Sequence, residues 1–419
     1  MKTIHKSILF VSIFAIVTLI ASSCKDDNNS SSGAPFISYV RVTNPASSDS
    51  LLAAAGQGQM IAIVGGNLQN TRQVWFNDQQ TTLIPTYVTN TTLIVTVPSS
   101  VPMVVTDKMK LVFADGDSLL YDFQVTINAP IIDDTYCDYV ADEATDTIYG
   151  RFFYYPLTVT FPGGLSVSSG DSGSDDVTVQ QVDPNTSSAI LMVKVPIGAQ
   201  PGQITVTSNF GSGKSNFMFR DNRNIFEGFD DGIDPGTNGT VVTDPGPSDP
   251  PSINGAYVRI AQTIGGWAWI QVFARWNGDV VISSDAILHP DLYNFKFEVC
   301  TEKPFNTNGI RGWITDPAIA NNTPATPVVT SATGTYYSWI PTSADAPSTL
   351  TGTFPPIDTQ GTWKTITIPL DQFAAAEGSY FPGVLPSYFC AFVFCEGGTL
   401  DCDMSFDNFR IVPKTIAGN

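Results

Sequence analysis

Positive charge is scarce in this chain of 419 residues: 20 Lys and Arg stand against 39 Asp and Glu, a formal net charge of −19. Such a surface repels nucleic acid and other polyanions, which excludes nucleic acid as a partner and favours a neutral or cationic one. Histidine is nearly absent, with His5 and His289 alone, and the six cysteines form neither a Cys-x-x-Cys pair nor a Cys–His cluster. The usual transition-metal sites are therefore missing. No Gly-x-Ser-x-Gly, His-Glu-x-x-His or phosphate-binding glycine loop occurs, so the common hydrolase, metalloprotease and nucleotide signatures are absent too. Nor does any stretch sustain a helical period. What the chain does have is 34 Gly, 29 Pro, abundant Ser and Thr, and many short alternating apolar runs. That is the composition of an all-β protein, and its length predicts two or three domains.

The N-terminus predicts the compartment. Lys2 and Lys6 precede an uncharged apolar run, Ile8 to Ala21, which fits a signal-peptide core and is too short to span a bilayer comfortably. Ile20-Ala21-Ser22-Ser23-Cys24 resembles the lipobox of bacterial lipoproteins, which implies cleavage after residue 23 and lipidation of Cys24. Lys25-Asp26-Asp27 resembles the acidic export signal that carries Bacteroidetes lipoproteins to the outer face of the outer membrane. Residues 24–33 then read as a flexible tether. Without Lys2 and Lys6, 18 basic side chains remain against the 39 acidic ones. The five other cysteines are odd in number, which argues against a complete disulfide framework, although a Cys395–Cys402 bridge stays open.

Two segments repeat loosely. Ala34-Pro35-Phe36-Ile37 opens residues 34–128, and Ala129-Pro130-Ile131-Ile132 opens residues 129–223. Val97-Pro98 and Val195-Pro196 fall in step within them, as expected for two immunoglobulin-sized sandwiches. Through Ile61-x-Ile63-x-Gly65-x-Asn67-Leu68 and Val74-x-Phe76 the first resembles the TIG (IPT) family. The second departs from that pattern, with no clear Gly-x-Asn-Leu. Trp75, the one tryptophan here, reads as edge packing, and both segments read as spacers.

Residues 224–419 differ, holding six of the seven tryptophans. Ile225-Phe226-Glu227-Gly228-Phe229-Asp230, Trp363-x-x-x-x-Ile368-Pro369-Leu370-x-x-Phe373 and Phe406-Asp407-Asn408-x-Arg410-Ile411 resemble strands of carbohydrate-binding jelly rolls. The Pro/Gly-rich stretch 232–252 is expected to be a loop inside this domain. In the strand from Gly266 to Trp276, a period of two puts Ala268, Ile270, Val272 and Ala274 on one face. Trp267, Trp269, Gln271, Phe273 and Arg275 fall on the other. Indoles interleaved with an amide and a guanidinium suit sugar rings, which stack through C–H faces and hydrogen-bond through hydroxyls. Arg311 and Trp313 alternate with Ile310 and Ile314, predicting a second solvent-facing aromatic. Tyr336, Tyr337 and Trp339 sit in loop-like sequence, Trp276 at a turn, and Trp363 is expected to be structural. Tyr380, Phe381 and Tyr388 fit either role.

Taken together, these features resemble the surface glycan-binding proteins of Bacteroidetes polysaccharide-utilisation loci, the second binding protein beside the SusD-like one. The resemblance implies an all-β fold of two TIG-like sandwiches and a larger β-sandwich or jelly-roll carbohydrate-binding domain. It implies a lipid-anchored, non-catalytic protein on the outer membrane that captures a neutral glycan for a SusC/SusD-type transporter. A β-glucan such as xyloglucan, mixed-linkage glucan or laminarin is favoured. The positions that fit a binding platform are Trp267 or Trp269 with Gln271 and Arg275, then Trp276, Arg311, Trp313, and Tyr337 or Trp339. No cofactor is implied, although jelly rolls of this type also carry structural Ca²⁺, for which Glu227, Asp230 and Asp407 are the candidate ligands. Two other readings exist. Tandem sandwiches also serve adhesion to protein partners, where aromatics are equally enriched. A glycoside hydrolase needs two placed carboxylates, and the candidates Glu298, Glu302 and Glu396 read as a solvated strand face.

Overall fold

The structure, a computed structural model, describes residues 33–183, 187–317, 336–341, 353–375 and 382–416. Cys24 and the tether before Gly33, and Tyr380 and Phe381, lie outside the described residues. The chain divides into two compact units, residues 1–127 and 128–419.

The first unit is a sandwich. One sheet orders Phe36–Val42, Met60–Gly66 and Thr92–Thr96; the other orders Gln79–Thr81, Thr71–Phe76, Lys108–Phe113 and Ser118–Asp122. Alternation works as the sequence predicts: Ile61 and Ile63, Val74 and Phe76, and Leu111 and Phe113 enter the core. Gly65 is required, because a Cβ there would lie 1.9 Å from the carbonyl oxygen of Phe36, where the paired strand carries a bulge. Trp75 is half-buried, donates its N–H to Gln73 (2.9 Å), and has Lys110 Nζ 5.7 Å from its ring centre.

The second unit holds a sandwich and a jelly roll. In the sandwich, Ile131–Thr135, Thr145–Arg151, Ser188–Lys194 and Val177–Asp183 form one sheet in that order. Leu165–Ser168, Thr158–Phe161, Thr205–Ser208 and Gly211–Lys214 form the other. Ile148, Phe161, Leu191, Val206 and Phe219 fill the space between. In the jelly roll, the first sheet orders Thr240–Val242, Tyr257–Ile264, Leu400–Pro413, Tyr293–Thr301 and Trp363–Pro369, and Ile225–Glu227 also pairs with the 400–413 strand. The second sheet orders Ile270–Ala274, Phe389–Phe394, Ile310–Thr315, Tyr336–Pro341 and Thr353–Phe354. Stacked phenylalanines fill the gap, with Phe297 and Phe409 5.0 Å apart and 15° from parallel. The 232–252 stretch is part of this domain. It contributes the Thr240–Val242 strand, and Asn238 and Pro235 bond the backbone of Gln271 and Ala274 along the free edge of the second sheet. Cys395 and Cys402 are both buried free thiols, so the bridge left open by their spacing does not form.

The outer face of the first sheet is a mount. Glu298 and Lys296 share it with Cys300, as alternation predicts, but the face is not solvated. Glu298 is buried because the second sandwich covers it. Arg410 bonds Glu298 through Nη1 and Nη2 (2.8 and 2.9 Å) and reaches Asp138 of the sandwich at 2.7 Å. Lys296 meets the same Asp138 oxygen at 2.8 Å. Thr365 joins in, donating to Glu298 (2.8 Å) and accepting from the Asp138 N–H (2.7 Å). Trp363 is structural, its indole N–H bonded to the Pro251 carbonyl (2.7 Å) and its ring edge-on to Tyr257. Removing one member of a buried ion cluster leaves its partners without compensation, typically about 3–5 kcal/mol. Arg410→Met is therefore expected to lower the urea-unfolding free energy of residues 128–419 by about that amount, and a change under 1 kcal/mol would remove the cluster as a fastener.

Asp146 of the second sandwich is fully buried, with Oδ1 accepting from Thr135 Oγ1 at 2.8 Å. Burial pushes its carboxyl up to about 7. A carboxyl raised in the folded state stabilises the fold fully below its unfolded value near 3.8 and loses that contribution as pH rises towards 7. Between pH 4 and 7 the native chain should thus lose roughly 3 kcal/mol relative to Asp146→Asn. Thermal melts across that range check this; parallel curves for the two proteins would refute it.

Candidate functional site

The outer face of the second jelly-roll sheet carries the aromatic row. Its floor is Ala274, Phe389, Ala391, Val393 and Cys395. At one end Trp267 is 65% exposed and holds a left-handed backbone at φ +62°, a costly conformation for a bulky residue, roughly 1–3 kcal/mol. It is held there by its N–H bond to the Glu396 carbonyl (2.8 Å), and its indole lies across Gly397. Next, Trp269 is 37% exposed and rests on Trp313, ring centres 5.5 Å apart. Beyond them Trp276, half-buried, lies 5.1 Å from Phe389. From Phe389 to Cys395 the floor runs roughly 20 Å at about 3.3 Å per residue.

The strand does not alternate cleanly. A bulge between Gln271 and Phe273 sends both Val272 and Phe273 into the core. The bulge inverts the phase of every later side chain in the strand. Gln271 stays opposite Val393, half-buried, but Ala274 and Trp276 replace Phe273 and Arg275 on the outer face. Arg275 is corrected: it is buried in ion pairs with Glu227 (3.1 Å), Asp231 (3.0 Å) and Asp279 (3.1 Å). It cannot meet a ligand on this face. The alternation expected for 310–315 is present, yet Trp313 is only 2% exposed, so it supports Trp269 instead of facing solvent. Tyr337 and Trp339 are also corrected. Their segment is a strand, paired through Arg311 and Ser338, and its phase points both rings into the core. Tyr337 stacks on Phe373 (4.9 Å) and Trp339 on Phe354 (4.6 Å). Tyr388 is structural, its hydroxyl accepting from the Leu385 N–H at 2.8 Å.

A polar node adjoins the exposed indole. The Arg311 guanidinium lies 6.0 Å from the Trp267 ring centre, and its Nε donates to Glu396 Oε1. Ser338 Oγ donates to the same oxygen at 3.2 Å, while Glu396 Oε2 is buried with no hydrogen-bond partner among the described residues. Asn308 pins the loop, its Nδ2 donating to the Gly398 carbonyl at 2.9 Å. Glu396 is thus no solvated strand residue. The signal in the sequence was a carboxylate between an apolar strand and Gly397-Gly398, where a turn folds it back over the sheet. Each of the proposed calcium ligands has a partner within the protein. Glu227 binds Arg275 and the Phe229 N–H, Asp230 the Ala256 N–H, and Asp407 the Asn408 N–H. Among the described residues no group of three or more His, Cys, Asp or Glu could hold a metal.

The architecture is thus sandwiches followed by a jelly roll that bears an aromatic row. Residues 219–413 match the family described as the surface glycan-binding protein B xyloglucan binding domain, and residues 49–126 match the IPT/TIG domain. In solved structures, the chain is similar to a surface glycan-binding protein, PbSGBP-B, of Prevotella bryantii. The two are 24% identical, covering 91% of this chain and 99% of that one, with a TM-score of 0.65. It is also similar to SGBP-B from a complex xyloglucan utilization locus of Bacteroides uniformis, 18% identical over 91% of this chain and all of that one, TM-score 0.48. An IPT/TIG domain-containing protein of Bacteroides ovatus is 35% identical over 107 residues, 25% of this chain and 22% of that protein's length. The jelly roll is therefore of the surface glycan-binding protein B type and the first sandwich an IPT/TIG domain.

The node makes a measurable claim. Arg311→Met leaves Glu396 buried without its counter-charge and should cost roughly 3 kcal/mol, whereas adding Glu396→Gln should recover more than half of that. Additive losses in the double variant would show that the two groups are not coupled.

Proposed function

We propose that this chain is a non-catalytic cell-surface glycan-binding protein that lays a neutral polysaccharide along the Trp267–Trp269 ledge. The observation that carries the reading is the exposure of these two indoles on a floor of buried apolar residues, beside the Arg311–Glu396 node. Flat, rigid rings offer the apolar C–H face of a pyranose a surface to stack on, and the node offers its hydroxyls a charged partner. The strained backbone of Trp267 fits this use, since such conformations cluster where ligands are held. Trp313 and Trp276 act from beneath and beside the ledge. A β-glucan is the favoured polymer, in keeping with the family description of the 219–413 domain, and the acidic surface disfavours uronic-acid or sulfated chains.

The same proposal places the chain on the outer face of the outer membrane, lipidated at Cys24, next to a SusC/SusD-type transporter. The basic start, the apolar run and the small residues before Cys24 support the anchor. The two sandwiches serve as spacers that hold the ledge away from the membrane.

Affinity electrophoresis through gels containing xyloglucan, mixed-linkage glucan or laminarin tests the ledge. Trp267→Ala and Trp269→Ala should each weaken retention by about 1 kcal/mol or more, roughly fivefold, and together abolish it. Melting temperatures should barely move, because both rings are largely outside the core. Undiminished retention in the double variant would sink the ledge, and retention on none of the three polymers would turn attention to a protein partner.

A further inference from the structure

Trp267 occupies the third position of a turn that the Ala268 N–H closes on the Gly265 carbonyl at 3.1 Å. Its φ of +62° is one that glycine or asparagine normally supplies at that position. A bulky side chain persists there only where its surroundings over-determine the backbone. The turn cannot do this alone, because Gly265 and Gly266 before the indole are exposed glycines, the most permissive of backbones. The constraint must come from what the turn rests on.

Those supports converge on one side chain. Asn308 is 3% exposed and lies just before the strand Ile310–Thr315. Its Nδ2 donates to the carbonyls of Gly398 (2.9 Å) and, in the longest of its four bonds, Gly265 (3.5 Å). Its Oδ1 accepts from the N–H groups of Gly309 (2.7 Å) and Glu396 (3.4 Å). Both nitrogen contacts are carbonyls and both oxygen contacts are N–H groups, so the amide has one consistent orientation. It ties the turn around Trp267 to the bend that the indole lies across, and both to the head of the sheet's central strand. The fit is close. A Cβ on Gly398 would lie 2.3 Å from Thr307 Oγ1, and one on Gly266 would lie 3.2 Å from the Gly398 nitrogen.

We propose that Asn308 is the positioning residue of the ledge: buried from any ligand itself, it fixes the pose in which Trp267 meets the polymer. The inference rests on the reading of Trp267 and Trp269 as a glycan ledge, and adds the residue that holds its exposed end. Trp269 needs no such brace, because its ring rests on Trp313. Asparagine suits the post twice over. It tolerates its own φ of +63° better than most residues, and its amide offers acceptor and donors in one plane. Aspartate has the same shape and accepts the same two N–H groups, but it loses both donors and sets a negative charge against two carbonyl oxygens.

Fluorine NMR on the full chain labelled with 5-fluorotryptophan reads the pose directly, the Trp267 line being assigned by its loss in Trp267→Phe. In Asn308→Asp, and in Asn308→Gly, which retains the positive φ, that line should shift or broaden while the Trp276 and Trp363 lines stay in place. Retention on glucan gels should fall about as far as in Trp267→Ala, roughly fivefold. In the Trp267→Ala background, Asn308→Asp should add less than about twofold, because the two changes act through one indole. An unmoved Trp267 line in either variant that melting curves show to be folded would overturn the proposal. So would losses of retention that multiply, or a collapse of the fold in both variants, which would make Asn308 a residue of the whole domain. Failure of the ledge registers differently, as retention indifferent to Trp267→Ala while the Trp267 line still answers to Asn308.

Discussion

The buried cluster of Arg410, Glu298, Asp138 and Lys296 is the constraint on which residues 128–419 depend. A guanidinium in a protein interior is tolerable only with its charge answered in the right geometry, and here the answering carboxylates come from two domains. Glu298 belongs to the same sheet as Arg410, and Asp138 to the sandwich before it. Neither domain alone satisfies the arginine. The sandwich therefore does more than extend the chain, since it completes the environment of the jelly roll's longest strand. That strand, Leu400–Pro413, shows almost no alternation of burial because both of its faces are covered, one by the phenylalanine core and the other by the neighbouring domain.

With the first sheet given over to this mount, the second sheet presents the outer face that carries the row. There the sequence pattern and the fold agree in part. Exposed aromatics before a strand were legible, and so was the alternation of Ile310 and Ile314 with Trp313. The bulge after Gln271 was not, because one extra residue leaves no mark in composition while it reverses every later side chain. Arg275 was lost from the outer face and Trp276 gained it for that single reason.

Other departures have the same root, a neighbour that a local pattern does not show. Tyr337 and Trp339 sit amid Thr- and Ser-rich sequence that reads as loop, yet a strand partner at Ile310–Thr315 fixes their phase inward. Glu298 was on the expected face of its strand, but whether that face meets water depended on residues 160 positions earlier, such as Asp138. The sandwich cores, set by short-range alternation and turn residues, were far more transparent, and the family match to residues 49–126 falls in the first of them.

One consequence of the mount concerns valency. A jelly roll has two broad faces, and in this protein one of them is permanently covered by the preceding domain. Each chain therefore offers its ledge on one side, and cannot grip a polymer between two opposed faces of the same domain. Tight hold on a long polysaccharide would then come from numbers, as neighbouring copies on the cell surface engage successive stretches of one strand. Their effective concentration is set by surface density, not by any contact within a single molecule.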